Sequence, residues 1–337
     1  MGGDFAPRAT IAGALYALAE LHDEHVVQLV GQTKVIEDQL AALLGGEMSE
    51  FADLRRRLFL VEAPDTISMS DKPTAALRSG SNNPMSVGLR LQAEQASDAF
   101  VSAGNTGAQM AASALLLGRH AGLARPAIAA IFPTATRPIV VLDSGANVDC
   151  SPNELVQFAW LGSVYAEYVL GRERPVVGLL SIGEEKEKGN STTKAAHALF
   201  ERAGFNFQGN VEGRDLPAGA SPRGPIDVVV CDGFVGNVVL KFYEAVMPMI
   251  VALLTADPSF DNATLEAALS PLDSTAYGGA PLLGVRGVSI ICHGNSPPRA
   301  IKNAIKVAVR AVETRMNEHI EERLMKSASS LGAGQVA

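Results

Sequence analysis

The chain has 337 residues, 47% of them hydrophobic and 19% charged. That composition supplies a sizeable core and excludes an intrinsically disordered chain. With 28 Lys and Arg against 36 Asp and Glu, the net charge is −8, so no global attraction draws the molecule to nucleic acid, and no nucleic-acid partner is expected. Cys150, Cys231 and Cys292 are far apart and form no CxxC pair. They read as small hydrophobes in a reducing compartment, not as a disulfide framework or zinc site. The opening MGGDFAPRAT carries no signal-peptide pattern. The greasiest stretch, AVMPMIVALL at 245–254, is interrupted by Pro248 and is too short to cross a bilayer core of about 30 Å. A soluble protein is expected, with attachment to a membrane surface left open.

In chain order, the pattern predicts helix 7–21, strand 26–30, helix 35–44, strand 58–61, helix 84–95, strand 99–101 and helix 106–117. It continues with strands 128–132 and 139–142, helix 153–170, strand 176–180, helix 191–202, strand 226–230, helix 235–254, strand 288–292 and helix 298–323. Short β-branched runs alternating with helices of ten or more residues indicate βαβ units: a mostly parallel sheet with helices on both faces. One α/β domain over residues 1–325 and a flexible tail over 326–337 are expected. The chain opens on a glycine turn, Gly2-Gly3-Asp4, with no strand ahead of it, although such turns normally follow a strand.

Five glycine- and asparagine-containing turns carry the chemical signal, most of them directly after a predicted strand. They are SAGNTG (102–107), DSGAN (143–147), GEEKEKGN (183–190), DGFVGN (232–237) and HGNS (293–296). Ligands of open α/β sheets bind beyond the carboxyl ends of the strands. Glycine lets backbone N–H groups approach a ligand, and each following helix offers a positive N-terminus, which suits phosphate. Singly, each turn needs glycine only to bend; together they could converge on one cleft. The candidates are Ser102, Gly104, Asn105, Thr106, Gly145, Asn147, Lys188, Gly189, Asn190, Gly236, Asn237 and His293. Lys188 is a candidate point charge for an anion, or else a surface lysine. Asn237 is a neutral donor to a carbonyl, or else a helix cap. His293 is either structural or an acid/base contact. Asp4, Asp143 and Asp232 read as residues that stabilise loops. The sequence has no GxxxxGK[ST], no GxGxxG after the first strand, no HExxH and no GxSxG. Neither a metal nor a cofactor is expected.

MGGDFAP, SAGNTGA, DSGANVD, GLLSIGEEKEKGN, DGFVGNVVLK, YGGAPLLG and the final HG turn occur in one order from residue 1 to about 323. In this the chain resembles the phosphate acyltransferase family of fatty acid and phospholipid synthesis (acyl-acyl carrier protein:phosphate acyltransferase, the PlsX family). The resemblance implies a Rossmann-like three-layer α/β/α sandwich, and a reaction between acyl–acyl carrier protein and inorganic phosphate that yields acyl phosphate. Acyl carrier protein, phosphate and a second copy of the chain are the implied partners. The implied location is the cytoplasm, peripheral on the inner face of the plasma membrane. Lys188 and Asn237 match the family's active-site lysine and asparagine; the turns at Ser102–Thr106 and Asp143–Asn147 would cradle phosphate. Membrane or dimer contact is expected from Phe242 to Leu272 (242–272), where a buried core helix is the other reading.

Two departures stand out. The family begins with a short strand ahead of Met-Gly-Gly-Asp, so the first strand is missing here, through a late start or a true loss. Each buried apolar residue of such a strand is worth about 1.5–3 kcal/mol, so its loss is expected to compromise stability. The last turn reads HGNSPP, and its prolines alter the loop that carries His293. A phosphotransacetylase-like enzyme using acyl-CoA and a non-catalytic phosphate-binding regulator remain rival readings.

Overall fold

The computed structural model describes residues 2–68, 70–71, 82–255, 269 and 274–332. In chain order the elements are α1 (Arg8–Glu20), β1 (Val27–Gly31), α2 (Thr33–Leu44), β2 (Leu58–Glu62), α3 (Pro84–Ala93), β3 (Ala99–Ser102), α4 (Thr106–Leu116), β4 (Ala127–Ile128), β5 (Ala130–Phe132) and β6 (Ile139–Leu142). Next come α5 (Pro152–Val164), β7 (Val176–Leu180), α6 (Ser191–Phe200), β8 (Asn206–Val211), α7 (Asp215–Ala218), β9 (Ala220–Ser221), β10 (Gly224–Pro225) and β11 (Val228–Val230). The chain ends with α8 (Gly233–Thr255), β12 (Ala280–Leu283), β13 (Val288–Ile291), α9 (Pro298–Glu313) and α10 (Met316–Gly332). It divides into two compact units, Met1–Gly118 with Tyr277–Glu313 and Arg119–Ala276 with Thr314–Ala337.

In the first unit β1 pairs in parallel with β2, the two joined by α2. β13 lies between β3, to which it is parallel, and β12, to which it is antiparallel. The apolar stripe of α1 packs Ile11, Leu15 and Leu18 with Leu29, Ile36 and Leu58. Gly13 lets α1 close onto α9, since a Cβ there would come within 2.5 Å of the Ile301 side chain. Between β1 and β3 lies a cavity of about 610 Å³ lined by residues 24–30 and 96–105. No strand precedes α1 among the described residues.

In the second unit five strands run in the order β5-β6-β11-β7-β8. All pairs are parallel except β5 with β6. β6 and β11 are continuous Val, Ile and Leu runs, buried at every residue, as parallel strands covered on both faces must be. A capping box at Ser151 and Glu154 starts α5. The buried Asp227 ties the start of β7 to β11: it accepts from Val176 N at 2.9 Å and pairs with Arg137 at 3.0 Å. By contrast α8 leaves Phe234, Phe242 and Leu253 more than half exposed. By length and composition alone it is apolar enough to cross a membrane.

The mostly parallel α/β fold matches the sequence pattern, with local corrections. The predicted strand 128–132 is broken into β4 and β5. The helix expected over 298–323 breaks between α9 and α10, where Arg315 takes φ +52°. Helix 153–170 ends as a π-helical turn over Tyr165–Val169. The expected tail begins inside α10, and the rest of it lies outside the described residues, as do 256–268 and 270–273 of the segment from Phe242 to Leu272.

Candidate active site

Because β6, β11 and β7 are neighbours and parallel, the loops that follow them leave from one edge of the second unit's sheet. Adjacent strands lie about 4.8 Å apart. This carboxyl edge is where open α/β sheets take ligands. Three of the five glycine turns stand there: 143–147 after β6, 232–237 after β11 and 183–190 after β7.

The first of these turns is wound around Asp143, whose side chain is fully buried. Its Oδ1 accepts from the backbone N–H of Ile128 and Ala146, and its Oδ2 from the backbone N–H and side-chain amide of Asn147. Burial pushes this carboxyl above the usual range, against the opposing pull of those four donors. The second Asn147 side-chain proton goes to the Pro126 carbonyl at 2.8 Å. The donors of Asn147 are therefore spent on the loop's own shape. Gly145 takes φ +124°, a backbone conformation that favours glycine. The side chain of Asn237 stands 3.4 Å from where a Gly145 Cβ would be. The first turn of α8 rests directly on this loop. Gly233 N donates to the Asn147 carbonyl at 2.8 Å, and a Cβ at Gly236 would collide with the Asp143 carbonyl oxygen. Asp232 Oδ1 caps the helix by accepting from Val235 N. Asn237 itself is exposed on that first turn.

The loop from Ser181 to Asn190 folds back on itself. The Lys188 stem packs on Gly183, and a Cβ at Gly189, which has φ +101°, would press on Ser181 and Thr193. Asn190 caps α6 by accepting from Thr193 N at 2.8 Å. Lys188 is exposed, and its ammonium makes no ion pair among the described residues. One edge thus presents a lysine, a helix N-terminus and an exposed amide.

In the first unit the other two turns follow the adjacent parallel strands β3 and β13. Asn105 caps α4 through Ala108 N, and its amide donates to the carbonyls of Asp71 and Ser68. Ser102 Oγ accepts from Gly104 N at 3.1 Å. Thr106 opens α4 and is exposed. The opening glycine turn docks here as well: Asp4 N donates to the Gly294 carbonyl at 2.7 Å. His293 is exposed beside it.

Burial pushes Cys150 and Cys292 up to about 12 and Cys231 well above its ordinary value. A thiol is nucleophilic as thiolate, so none is prepared for covalent catalysis. No group of His, Cys, Asp and Glu suited to a metal ion occurs among the described residues. From its sequence context alone Asp143 reads as one loop-stabilising aspartate among three. Its role as the hub joining two glycine turns rests on long-range contacts to Ile128, Gly233 and Gly236 that local sequence does not carry.

Residues 1–319 match the family model described as fatty acid synthesis protein. A protein of Desulforamulus reducens named phosphate acyltransferase is 44% identical, over 96% of this chain and 95% of its own length. One from Pelotomaculum thermopropionicum with the same name is 45% identical over 99% and 96%. Among solved structures, the EutD phosphotransacetylase of Staphylococcus aureus aligns with a TM-score of 0.54 at 15% identity, covering 90% of this chain and 99% of that one. A branched-chain phosphotransacylase of Enterococcus faecalis V583 aligns with a TM-score of 0.54 at 14% identity, covering 92% and 97%. At such identity these two structures bear on the fold alone.

Proposed function

The chain belongs to the phosphate acyltransferase family, a family of transferases, and on that premise we propose that it moves a fatty acyl group from acyl carrier protein to inorganic phosphate for phospholipid synthesis. A hydrogen phosphate oxygen attacks the thioester carbonyl, the C–O bond forms, the C–S bond breaks, and the proton that the phosphate gives up goes to the departing sulfur, so that the carrier leaves as a thiol. Phosphate is itself the nucleophile, so no acyl-enzyme is needed, in keeping with three thiols held neutral. Holding the two reactants in register can supply about 7–11 kcal/mol of the barrier. Lys188 neutralises the phosphate beside the N-terminus of α6, aided by the glycine turn at Gly189 and Asn190. Asn237, seated against Gly145 by Gly236, donates to the developing oxyanion, a contact worth about 2.7–4 kcal/mol.

The observation that carries this reading is that β6, β11 and β7 are adjacent and parallel, so that the loops bearing Gly145, Asn237 and Lys188 share one sheet edge. The test is release of free thiol, dependent on phosphate, from acyl–acyl carrier protein and from acyl-CoA. Faster release from the carrier protein supports the proposal. Preference for acyl-CoA makes the enzyme phosphotransacetylase-like, and phosphate binding without thiol release makes it a regulator.

We further propose a cytoplasmic homodimer that touches the inner membrane surface through α8; the exposed apolar side chains of that helix, Phe242 and Leu253 among them, support the membrane contact. An apolar helix face lying in the interface plane binds in proportion to the area it buries.

A further inference from the structure

Strand β8 pairs with β7 in a register that slips once. Val177 is opposite Phe207, but Gly178 is opposite Gly209, so Gln208 is an extra residue in β8. Gly209 takes φ +105°, and the guanidinium of Arg223 lies over it where a Cβ would collide. A glycine in the left-handed region beside an unpaired extra residue is a β-bulge, which re-aims the side chains beyond it.

The re-aiming is visible. In a regular strand side chains alternate between faces, so Phe207 and Val211 would share one face and Asn210 would lie on the other. Instead Phe207 and Asn210 both meet His197 of α6, Phe207 ring to ring at 5.1 Å and Asn210 by a hydrogen bond. Val211 packs in the other layer, with Val229 and Leu216.

Turned this way, the buried Asn210 reaches the loop that carries Lys188. Its Nδ2 donates to the Glu185 carbonyl at 2.8 Å, which leaves Oδ1 to accept from His197 Nδ1–H at 2.8 Å. The same Glu185 carbonyl accepts from Lys188 N at 3.0 Å. Arg223 adds a second anchor: one nitrogen donates to the Gln208 carbonyl at 2.7 Å and another to the Glu184 carbonyl at 3.2 Å. The loop is therefore fixed by a side chain that the bulge turns toward it.

We propose that Asn210 is a positioning residue for acyl transfer: through the Glu185 carbonyl it holds the Lys188 loop in the conformation that meets phosphate. This rests on the proposed role of Lys188 and adds to it the group that sets that lysine in place. A side chain that acts only through another residue loses its effect once that residue is gone, and a double-mutant cycle measures this.

The experiment compares Asn210→Ala in the intact chain and in the Lys188→Ala background, reading kcat and KM for phosphate, with amide exchange over residues 184–190. In the intact chain Asn210→Ala is expected to lower kcat/KM for phosphate by about 10- to 100-fold and to speed exchange in the loop. In the Lys188→Ala background it should lower activity less than about twofold further. Arg223→Gln, which removes the outer anchor and leaves Asn210 buried, should give a smaller loss of the same kind and guards against a folding defect in the first variant. Equal losses in both backgrounds, or unchanged kinetics in the intact chain despite faster loop exchange, would overturn the proposal. If Lys188→Ala alone leaves activity intact, the reading of Lys188 fails instead, and the exchange data still report whether Asn210 holds the loop.

Discussion

The carbonyl oxygen of Asp143 occupies the space that a Cβ on Gly236 would need. The first turn of α8 and the loop after β6 are consequently in backbone contact, and Asn237 is delivered beside Gly145 as a result. Gly236→Ala has no flexible side-chain tip to displace and must push the helix off the loop. Overpacking of this kind costs about 1–3 kcal/mol. The expected outcome is a lower melting temperature together with a turnover loss larger than the loss of folded protein accounts for, measured by thermal melting and steady-state kinetics on one preparation.

Lys188 and Asp143 should separate function from stability. Lys188 is exposed, so Lys188→Ala should lower turnover by about 100-fold or more while the melting curve stays in place. Asp143→Ala should do the reverse first. It orphans the N–H groups of Ile128, Ala146 and Asn147, and unsatisfied buried donors cost about 1–3 kcal/mol each. A melting drop in the lysine variant as large as in the aspartate variant would make Lys188 a structural residue.

The thiols give a prediction with a definite sign. Cys292 has an ordinary value of 9.0 and is pushed up to about 12 by burial. Its stabilising contribution is therefore complete below pH 9 and is lost as pH rises from 9 toward 12, because the unfolded chain releases a proton that the folded chain keeps. Melting temperature should fall across that window, and less steeply in Cys292→Ala. At pH 8 the thiols are neutral, so iodoacetamide should leave turnover within about twofold of the untreated enzyme. Acid quenching during turnover should trap no acyl-protein.

The exposed side chains of α8 are expected to hold the protein on lipid. Leu253→Glu together with Leu254→Glu should reduce flotation with liposomes while thiol release from soluble substrate persists. Undiminished flotation would assign this face to contact between protein copies.

What could be read in advance follows from which forces are local. β6, β7 and β11 are Val-, Ile- and Leu-rich runs, and a strand buried on both faces leaves that signature in its own sequence. β8 reads NFQGNV, with two asparagines and a bulge glycine, and β12 reads APLL with a proline; neither shows a strand pattern. The glycine turns were legible because φ beyond +20° at Gly145 and Gly189 demands that residue. The partners that give those turns their shape were not. Asp143 with Ile128, Asn210 with Glu185, and Arg223 with Glu184 join residues 15, 25 and 39 positions apart, and contacts of that range are fixed by the folded sheet.

Incubation with palmitoyl–acyl carrier protein and labelled inorganic phosphate tests the central claim most directly. The predicted result is a labelled acyl product that hydroxylamine destroys, formed with stoichiometric release of carrier thiol and greatly reduced by Lys188→Ala and by Asn237→Ala. Label that stays in free phosphate while the thioester remains intact, or product formed equally well by both variants, would contradict it.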